Sequence, residues 1–457
     1  MLDLLITHAL YPDFEAGEMK RGSIGIRDGR IAYVGDGAPE AAEVLDAGGH
    51  VVSPGFIDIH MHEEKFDEEG ERYRIAEMML EMGVTTAVGG NCGLLNTPFD
   101  RFREVIEKLG GAPVHYMMFT GYNTYRRAQG LGHYDPASEE QMLAIRECLK
   151  KDLAAGACGI SFGIEYDPAI TTGEVLFALE ADGDPEHLAA AHYRDDSIRA
   201  IPSIREMIEI QSRIPMKFQI SHLSSCSAMG QMEEALEIIN EAIDKDPRLN
   251  YDTYPYNAFS THIGSTVFED DCLSKWGKEY SDIMLTLPPY EGVRCTEEIF
   301  RDAREHYPEM LAVAFAMNEE EIAAAIANRH GMVASDAILN DGSGHPRAHG
   351  TFPRVLGKYV REDKVLPLAA ALRKMTLEPA KRLGLTHKGV IAEGADADLT
   401  IFDPETIADR ADFTDVTPRP DGIDWVLIGG RKALDHGRIV NGRLGRFIAF
   451  ADRNKRD

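Results

Sequence analysis

Long hydrophobic runs are missing from this sequence of 457 residues. No apolar stretch approaches the roughly 20 residues that a helix needs to cross a bilayer. The first segment, MLDLLITHALYPDFEAGEMK, also lacks a basic start followed by a long apolar core, so we expect no secretory signal peptide. These absences argue against a membrane-spanning protein and against a secreted one.

Closely spaced cysteine pairs are also absent. The six cysteines are scattered along the chain as Cys92, Cys148, Cys158, Cys226, Cys272 and Cys295. In a long chain without a leader, such spacing is typical of free thiols in a reducing compartment. We therefore expect a cytoplasmic protein.

Basic residues are few. Lysine and arginine number 48 against 76 aspartate and glutamate residues, which gives a formal net charge of −28. The resulting negative field repels phosphate backbones and anionic lipids, and so argues against nucleic-acid and membrane partners. An anionic small molecule would have to meet an arginine placed at its binding site. The sequence leaves open whether the chain forms a homo-oligomer.

What the chain does have is a regular alternation of strands and helices. Both ends, residues 1–54 and 385–457, are rich in short β runs with Gly and Asp turns, and predict one small domain built from both termini. Between them, residues 55–384 alternate apolar strands such as ACGISFGIEY with amphipathic helices, which predicts a parallel sheet closed as a barrel. Acidic, helical and aromatic sequence from 265 to 330 interrupts this rhythm and predicts an inserted lid.

The segment PGFIDIHMH carries the strongest local signal. His60 and His62 lie two residues apart on a predicted strand, so both side chains point to the same face. Two imidazoles at the C-terminal end of a strand form a chelating pair for a divalent metal. The sequence therefore predicts a metal site at this strand end.

Three more strand ends carry residues of the same chemistry. Cys92 follows a strand in AVGGNCGLL, and its thiolate would favour zinc over magnesium or calcium. His222 ends the strand MKFQISH, where barrel active sites are built. Asp336 follows Ser335 in GMVASD, and a carboxylate beside a metal-bound water can accept its proton and deliver it to a leaving amine.

Together these motifs resemble one known family. The ordered set IDIHMH, GGNCG, HYRDD, ISHL, DTYPY, ASD and HPRAHGTFPRVLG is similar to the N-acyl-D-amino acid deacylase (D-aminoacylase) family of the amidohydrolase superfamily. The tail MTLEPAKRLGLTHKGVIAEGADADLTIFDP extends the resemblance over nearly the whole chain, and the likeness is weakest from about 265 to 330. The resemblance implies an α/β fold: a deformed parallel (β/α)8 TIM-like barrel with a small β-sandwich domain.

The resemblance also implies roles for individual residues. Cys92 and His222 match ligands of a tightly bound zinc, and His60 and His62 match a second, weaker metal position. Asp336 matches the general base and acid, which also contacts metal. Arg347 of HPR matches the residue that binds the substrate α-carboxylate. Tyr254 and Arg194 are further candidates for substrate binding. The implied reaction is zinc-dependent hydrolysis of N-acyl-D-amino acids.

This chain departs from the family pattern at three positions. Tyr254 stands where some relatives have a histidine ligand, and leaves the third ligand of the tight zinc unassigned. Ser224 stands where the family often has lysine, and Glu165 where a neutral residue is expected. His60, His62, Glu165 and, more remotely, His262 are candidates for the missing ligand. His192 is interpreted only as a strand-end residue, and Arg194 could equally pair with Asp195 or Asp196.

Three alternative functions stay open at this point. A similar barrel could hydrolyse a cyclic amide such as a hydantoin or dihydropyrimidine, although the HPRAHGTFPRVLG segment favours a linear substrate with a carboxylate. A dipeptidase acting on a D-residue is close to the main interpretation. A metal-binding scaffold without catalysis is the non-enzyme alternative, and the presence of Asp336 argues against it, because a scaffold does not need a base.

Overall fold

The computed structural model of the protein describes residues 1–66 and 71–455. Its strands, numbered in chain order, are β1 (Leu2–Asp13), β2 (Glu18–Arg27), β3 (Arg30–Gly35), β4 (Ala41–Asp46), β5 (Val51–Pro54), β6 (Phe56–Asp58), β7 (Val84–Gly89), β8 (His115–Met118), β9 (Thr120–Gly121), β10 (Gly159–Gly163), β11 (Leu188–His192), β12 (Lys217–Ile220), β13 (Leu249–Thr253), β14 (Phe259–His262), β15 (Ile283–Leu285), β16 (Leu311–Ala314), β17 (Met332–Val333), β18 (Leu339–Asn340), β19 (Ser343–Gly344), β20 (Leu399–Phe402), β21 (Ile423–Ile428), β22 (Arg431–Asp435) and β23 (Arg438–Ile439).

Helices separate most of these strands. They are α1 (Ile75–Glu81), α2 (Phe99–Lys108), α3 (Tyr122–Ala128), α4 (Glu139–Ala155), α5 (Thr172–Leu179), α6 (Ala200–Ser212), α7 (Leu223–Ser227), α8 (Met232–Lys245), α9 (Cys272–Trp276), α10 (Glu297–His306), α11 (Glu319–Ala327), α12 (Arg347–Arg354), α13 (Leu368–Met375) and α14 (Leu377–Leu383). Local sequence sets their ends: α4 begins with a capping box between Ser138 and Gln141 and ends at Gly156, whose left-handed φ of 113° suits glycine.

The two ends of the chain contribute to one mixed sheet. Within the described residues, its strands follow the order β23-β22-β21-β20-β5-β1-β2-β3, and β4 pairs with β1. The ends meet where β20 pairs antiparallel with β5, with Leu399 opposite Pro54. A separate apolar core that includes Ile6, Ile24 and Leu399 supports this sheet. Strands from both ends of the chain therefore belong to one sheet.

The middle of the chain is built on parallel strands. β6, β7 and β8 form one parallel sheet, and β9 to β13 with β17 form another. Hydrogen bonds link the two sheets where β8 continues into β9, since Cys158 N donates to Met118 O across 2.8 Å. At the other edge, Asp336 N donates to His60 O and His62 N donates to Ala337 O, each across 2.8 Å. The arrangement is a barrel-like α/β fold.

The burial of these strands agrees with their composition. All residues of β10 (GISFG) and β11 (LAAAH) are buried, which is typical of parallel strands that are covered on both faces. The amphipathic helices supply that cover; in α8 the apolar residues Leu236, Ile239 and Ile243 face the core. Because the strands run parallel, their C-terminal ends, and the polar residues that follow them, lie at one end of the barrel-like sheet.

Residues 265–330, called the excursion below, lie between β14 and β17 and form a substructure together with β14. β16 pairs antiparallel with β14 and with β15, and α9, α10 and α11 surround this small sheet. In the excursion, a small antiparallel sheet with helices takes the place of the strand–helix repeat. Among the described residues, no helix has both the length and the apolar character needed to cross a bilayer.

Candidate active site

Six side chains with metal-ligating atoms gather at the C-terminal ends of the parallel strands. They follow or end β6, β7, β11, β12 and β17, and all are buried: His60, His62, Cys92, His192, His222 and Asp336. The backbone is left-handed at Cys92 (φ 52°), His222 (φ 33°) and Asp336 (φ 51°). Such conformations cost about 1–3 kcal/mol each in residues other than glycine and cluster at functional sites. Here they mark the points where each strand turns to place its side chain in the cluster.

One group of donors consists of His60, Cys92 and His222. Cys92 Sγ lies 3.4 Å from His60 Nε2 and 3.4 Å from His222 Nε2. A zinc ion bound at about 2.3 Å by sulfur and about 2.0 Å by nitrogen, in tetrahedral geometry, places those atoms roughly 3.5 Å apart. The spacing and the thiolate–imidazole chemistry of Cys92 and His222 therefore fit zinc, and His60 is one candidate for the third ligand.

A second group shares His60 and adds His62 and Asp336. Asp336 Oδ1 lies 3.4 Å from His60 Nε2 and 3.3 Å from His62 Nε2. The three donor atoms lie close enough to hold one metal ion. Because His60 belongs to both groups, the two candidate metal positions are adjacent.

Polar contacts outside the cluster orient two of its histidines, through hydrogen bonds at His222 and a close carboxylate at His60. Asp252 Oδ1 accepts from the backbone N–H of His222 across 2.8 Å and lies 3.1 Å from His60 Nδ1. Ser225 Oγ lies 2.6 Å from His222 Nδ1. Outer partners of this kind fix the ring orientation and tautomer of metal-ligating histidines. In both rings they leave Nε2 directed at Cys92.

His192 is the site residue that the sequence analysis missed. It ends β11, its ring centroid lies 4.6 Å from that of His222, and its Nε2 donates to Glu165 Oε2 across 2.6 Å. Its Nδ1 is buried and has no hydrogen-bond partner among the described residues. The available signal was its position: like His222, it stands at the C-terminal end of an apolar strand, in LAAAH.

The site holds anions and cations in close contact. Burial raises the pKa of Cys92, but His60 and His222 outweigh it, so the pKa lies well below the usual thiol value. Burial likewise raises the pKa of Asp336, and Arg347 with the histidines outweighs it, so this pKa is also well below its usual range. A thiolate and a carboxylate beside imidazoles are the donor set that a divalent cation requires.

Arg347, at the start of α12, closes one side of the site. It is 1% exposed, its Nη1 lies 3.0 Å from Asp336 Oδ2, and its Nη2 donates to Ser260 O across 3.1 Å. Its guanidinium carbon stacks 4.7 Å from the ring centroid of Tyr254. Its Nε is buried and lacks a hydrogen-bond partner among the described residues. A buried donor without a partner is costly, so this guanidinium has capacity for an anionic ligand.

The remaining predicted residues lie in different surroundings. Tyr254 is buried, and its hydroxyl is directed at Met317 Sδ, 4.0 Å away. Arg194 binds Glu206 with two hydrogen bonds, Nε to Oε2 across 2.8 Å and Nη2 to Oε1 across 2.7 Å. Arg194 therefore pairs with Glu206 and not with Asp195 or Asp196. Because Glu206 occupies the guanidinium, this contact also differs from the predicted substrate-binding role of Arg194.

Two cavities meet at this cluster. The inner one is lined by Glu165, His192, His222, Asp336 and Arg347 together with residues of the excursion and of β14. The outer one is a cleft of about 1060 Å³, and His262 lines it rather than the cluster. Tyr166 and Thr261 line both cavities, so the cleft leads to the buried site.

Comparison with known proteins identifies the family. The model of the amidohydrolase family matches residues 295–433. D-aminoacylase of Alcaligenes xylosoxydans xylosoxydans is 31% identical over an alignment of 480 positions, which covers 98% of this chain and 97% of the relative. N-acyl-D-glutamate deacylase of the same organism is 32% identical over an alignment of 463 positions, which covers 94% of this chain and 93% of the relative.

A solved structure gives the same result. N-acyl-D-glutamate deacylase from Bordetella bronchiseptica, complexed with zinc and a phosphonate inhibitor that mimics the tetrahedral intermediate, superposes with a TM-score of 0.87 at 27% identity. The match covers 98% of this chain and 99% of that one. The resemblance seen in the motifs is thereby confirmed: this chain belongs to the D-aminoacylase family of amidohydrolases.

Proposed function

We propose that this protein is a zinc-dependent deacylase that hydrolyses the amide bond of N-acyl-D-amino acids and releases a carboxylate and a free D-amino acid. The observation that carries the proposal is the contact between the metal-ligand cluster and Arg347. Asp336 touches His60 and His62 with one oxygen and Arg347 with the other. Metal ligands, a base and a carboxylate-binding cation thus lie within one buried pocket.

The donor atoms fit zinc. We assign the tight position to Cys92, His192 and His222, so that His192, not Tyr254, supplies the third ligand that the sequence left unassigned. The buried His192 Nδ1, which has no hydrogen-bond partner among the described residues, supports this choice. His60, His62 and Asp336 would hold a second, weaker metal. Bound zinc supplies a Lewis acid that polarises a carbonyl and lowers the pKa of water to about 7.

Asp336 is the proposed general base and acid. Its Oδ1 faces the histidines and its Oδ2 faces Arg347, so the carboxylate is held in one orientation. Its depressed pKa keeps it ionised, and therefore able to accept a proton from water at neutral pH. The protonated carboxyl group of Asp336 can then deliver that proton to the departing amide nitrogen.

Arg347 is the proposed binding residue for the α-carboxylate of the substrate. Its planar guanidinium suits two parallel hydrogen bonds to a carboxylate. The ring of Tyr254 lies against its face and supports its position. This residue favours the linear substrate over a cyclic amide, because ring closure through the carboxyl group would remove the anion that Arg347 binds.

The same proposal covers the fold, the cellular compartment and the binding partner. We infer that the strands β6 to β13 with β17 close into a deformed barrel spanning residues 55–384, with 265–330 as its lid. Residues 1–54 and 385–457 form the smaller domain, proposed as a β-sandwich. All six cysteines are unpaired, which supports a reducing compartment such as the cytoplasm. The proposed partner is a carboxylate-bearing small molecule rather than nucleic acid or a membrane.

The direct test combines metal analysis with a substrate screen. Elemental analysis of the purified protein should find about one tightly held zinc per chain. Matched N-acyl-D- and N-acyl-L-amino acids, dipeptides ending in a D-residue, hydantoin and dihydropyrimidine should be assayed side by side. Release of amino acid from the acyl-D compounds supports the proposal. Turnover of only the cyclic amides, or of none with zinc bound, would replace it with the cyclic-amide or scaffold alternative.

A further inference from the structure

A buried chain of contacts connects the excursion to the metal-ligand cluster. Lys275 Nζ, from α9, lies 2.7 Å from Asp196 Oδ1, 2.9 Å from Asp195 Oδ1 and 3.5 Å from Glu165 Oε1. The Lys275 side chain is 8% exposed, so these contacts are shielded from bulk water. The second oxygen of Glu165 accepts from His192 Nε2 across 2.6 Å. One lysine therefore touches the carboxylate that touches a proposed zinc ligand.

We propose that Glu165 and Lys275 are positioning residues for His192. The inference rests on the proposed function, in which His192 is a ligand of the tight zinc. A carboxylate that accepts the Nε2–H of a histidine fixes the tautomer with the lone pair on Nδ1, holds the ring orientation and raises its basicity as a ligand. His192 has this arrangement: Nε2 is held by Glu165, and Nδ1 is buried without a hydrogen-bond partner in the described structure.

Lys275 is needed because Glu165 does not stand alone. It shares its surroundings with Asp195 and Asp196, and repulsion between like charges at such distances favours rotation of one carboxylate away from the others. A rotated Glu165 would no longer accept the His192 proton. The ammonium of Lys275 contacts all three carboxylates and thereby holds Glu165 in place.

The backbone of α9 is fixed so that the lysine reaches this position. Trp276 Nε1 donates to Asp196 Oδ2 across 2.8 Å, and Ser197 Oγ donates to Lys275 O across 2.8 Å. Thr266 Oγ1 donates to the backbone oxygen of Glu165 itself. Several hydrogen bonds and ion pairs therefore hold the excursion against the strand ends. Among them, the Lys275–Glu165 contact leads to His192, the proposed metal ligand.

This arrangement gives a role to a residue that the family pattern left unexplained. Glu165 stands where a neutral residue is expected, and a neutral residue could not hold His192 by a charge-assisted hydrogen bond. Zinc affinity in this chain should therefore depend on a residue of the excursion that does not itself touch the metal.

The test measures zinc affinity by competition with a chelator, using purified full-length variants. Glu165→Gln keeps the shape but removes the charge, and should weaken zinc binding about 10–100-fold, the range typical of lost outer partners. Lys275→Met should weaken zinc binding about tenfold by the same route, and Lys275→Arg should restore most of the loss.

The double variant Glu165→Gln/Lys275→Met should bind zinc no more weakly than Glu165→Gln alone, because both substitutions act through one bond. Arg199→Met is the control: it removes bonds to Asp195 and Asp271 without touching Glu165, and should leave affinity unchanged.

A second measurement does not depend on metal. In metal-free protein, at a pH high enough for the imidazole of His192 to be neutral, nitrogen NMR should show the proton on Nε2 in the parent and a mixed population in Glu165→Gln and Lys275→Met. Parent-like zinc affinity and tautomer in both variants would overturn the inference. His192→Ala separates a failure of the proposed ligand set from a failure of the positioning role. If His192→Ala keeps full zinc, the proposed ligand set is wrong. If it loses zinc while Glu165→Gln and Lys275→Met keep it, only the positioning role is wrong.

Discussion

Asp336 Oδ2 and Arg347 Nη1 form a buried ion pair at 3.0 Å, with both side chains less than 10% exposed. The proposed base and the proposed substrate-binding cation are therefore not independent. Arg347 contributes to the low pKa of Asp336, and Asp336 fixes one edge of the guanidinium. A substrate carboxylate arriving at Arg347 is placed within reach of the base by this contact.

The first prediction concerns Asp336→Asn. The amide cannot accept a proton, so turnover of acyl-D-amino acids should fall by at least the roughly 10²–10⁴-fold typical of general acid–base loss. Zinc held by Cys92, His192 and His222 should largely remain, and only a weaker second metal should be lost. Steady-state kinetics with elemental analysis checks both points.

The control is Asp244→Asn, which changes an exposed ion pair with Arg329 and should behave as the parent. Near-normal turnover in Asp336→Asn would mean that another group carries the proton, and Glu165 would be the first residue to test.

The second prediction concerns the tight zinc. Separate Cys92→Ala, His222→Ala and His192→Ala variants should each lose the tight zinc or bind it much more weakly, because each removes one of three protein ligands. Cys158→Ala is the matched control, since this buried thiol lies in an apolar cluster that raises its pKa. Metal content after dialysis against a chelator decides the matter: a full zinc complement in any ligand variant removes that residue from the set.

Much of this site could be predicted from single strands. A histidine pair two residues apart on a strand must point to one face, and Cys92, His222 and Asp336 each follow an apolar run. Because parallel strands end together, these five residues meet without further information. In the structure, the donor atoms of these five residues lie in two adjacent groups that share His60.

Other parts depend on contacts that the sequence does not encode locally. His192 ends LAAAH, but its metal-facing atom is apparent only once Glu165 is seen to hold Nε2. Arg194 was a reasonable substrate ligand until its partner Glu206, on the following helix, was known. Lys275 is about 110 residues from Glu165 along the chain, and no periodicity predicts that contact.

The third prediction concerns Tyr254→Phe, which should keep its zinc. A phenol must ionise to bind a metal well, and burial raises the pKa of Tyr254 further above its ordinary value near 10. The substitution keeps the ring that packs on Arg347 and removes only a hydroxyl directed at Met317. Chelator competition should therefore give a parent-like zinc affinity. Loss of zinc from a folded variant, judged by circular dichroism, would show that the hydroxyl belongs to the metal site.

The last prediction concerns specificity and uses two substitutions of Arg347. Removing one partner of a desolvated charge pair typically costs about 2–5 kcal/mol, so Arg347→Met should lower kcat/KM for acyl-D-amino acids by roughly 30-fold or more. Because Arg347 also holds Asp336, this variant should lose some activity even on an amide analogue without the carboxylate.

Arg347→Lys separates the two effects. The ammonium keeps a positive charge beside Asp336 but cannot form the two parallel hydrogen bonds of a guanidinium. It should therefore raise KM for the carboxylate substrate about tenfold or more, at about 1.4 kcal/mol per tenfold, while the analogue is turned over at nearly the parent rate. Arg373→Lys, in a half-buried pair with Glu378 away from the site, is the control. Equal losses on both substrates in Arg347→Lys would make Arg347 a structural residue of α12, and would favour a substrate without a free carboxylate, as in the cyclic amides.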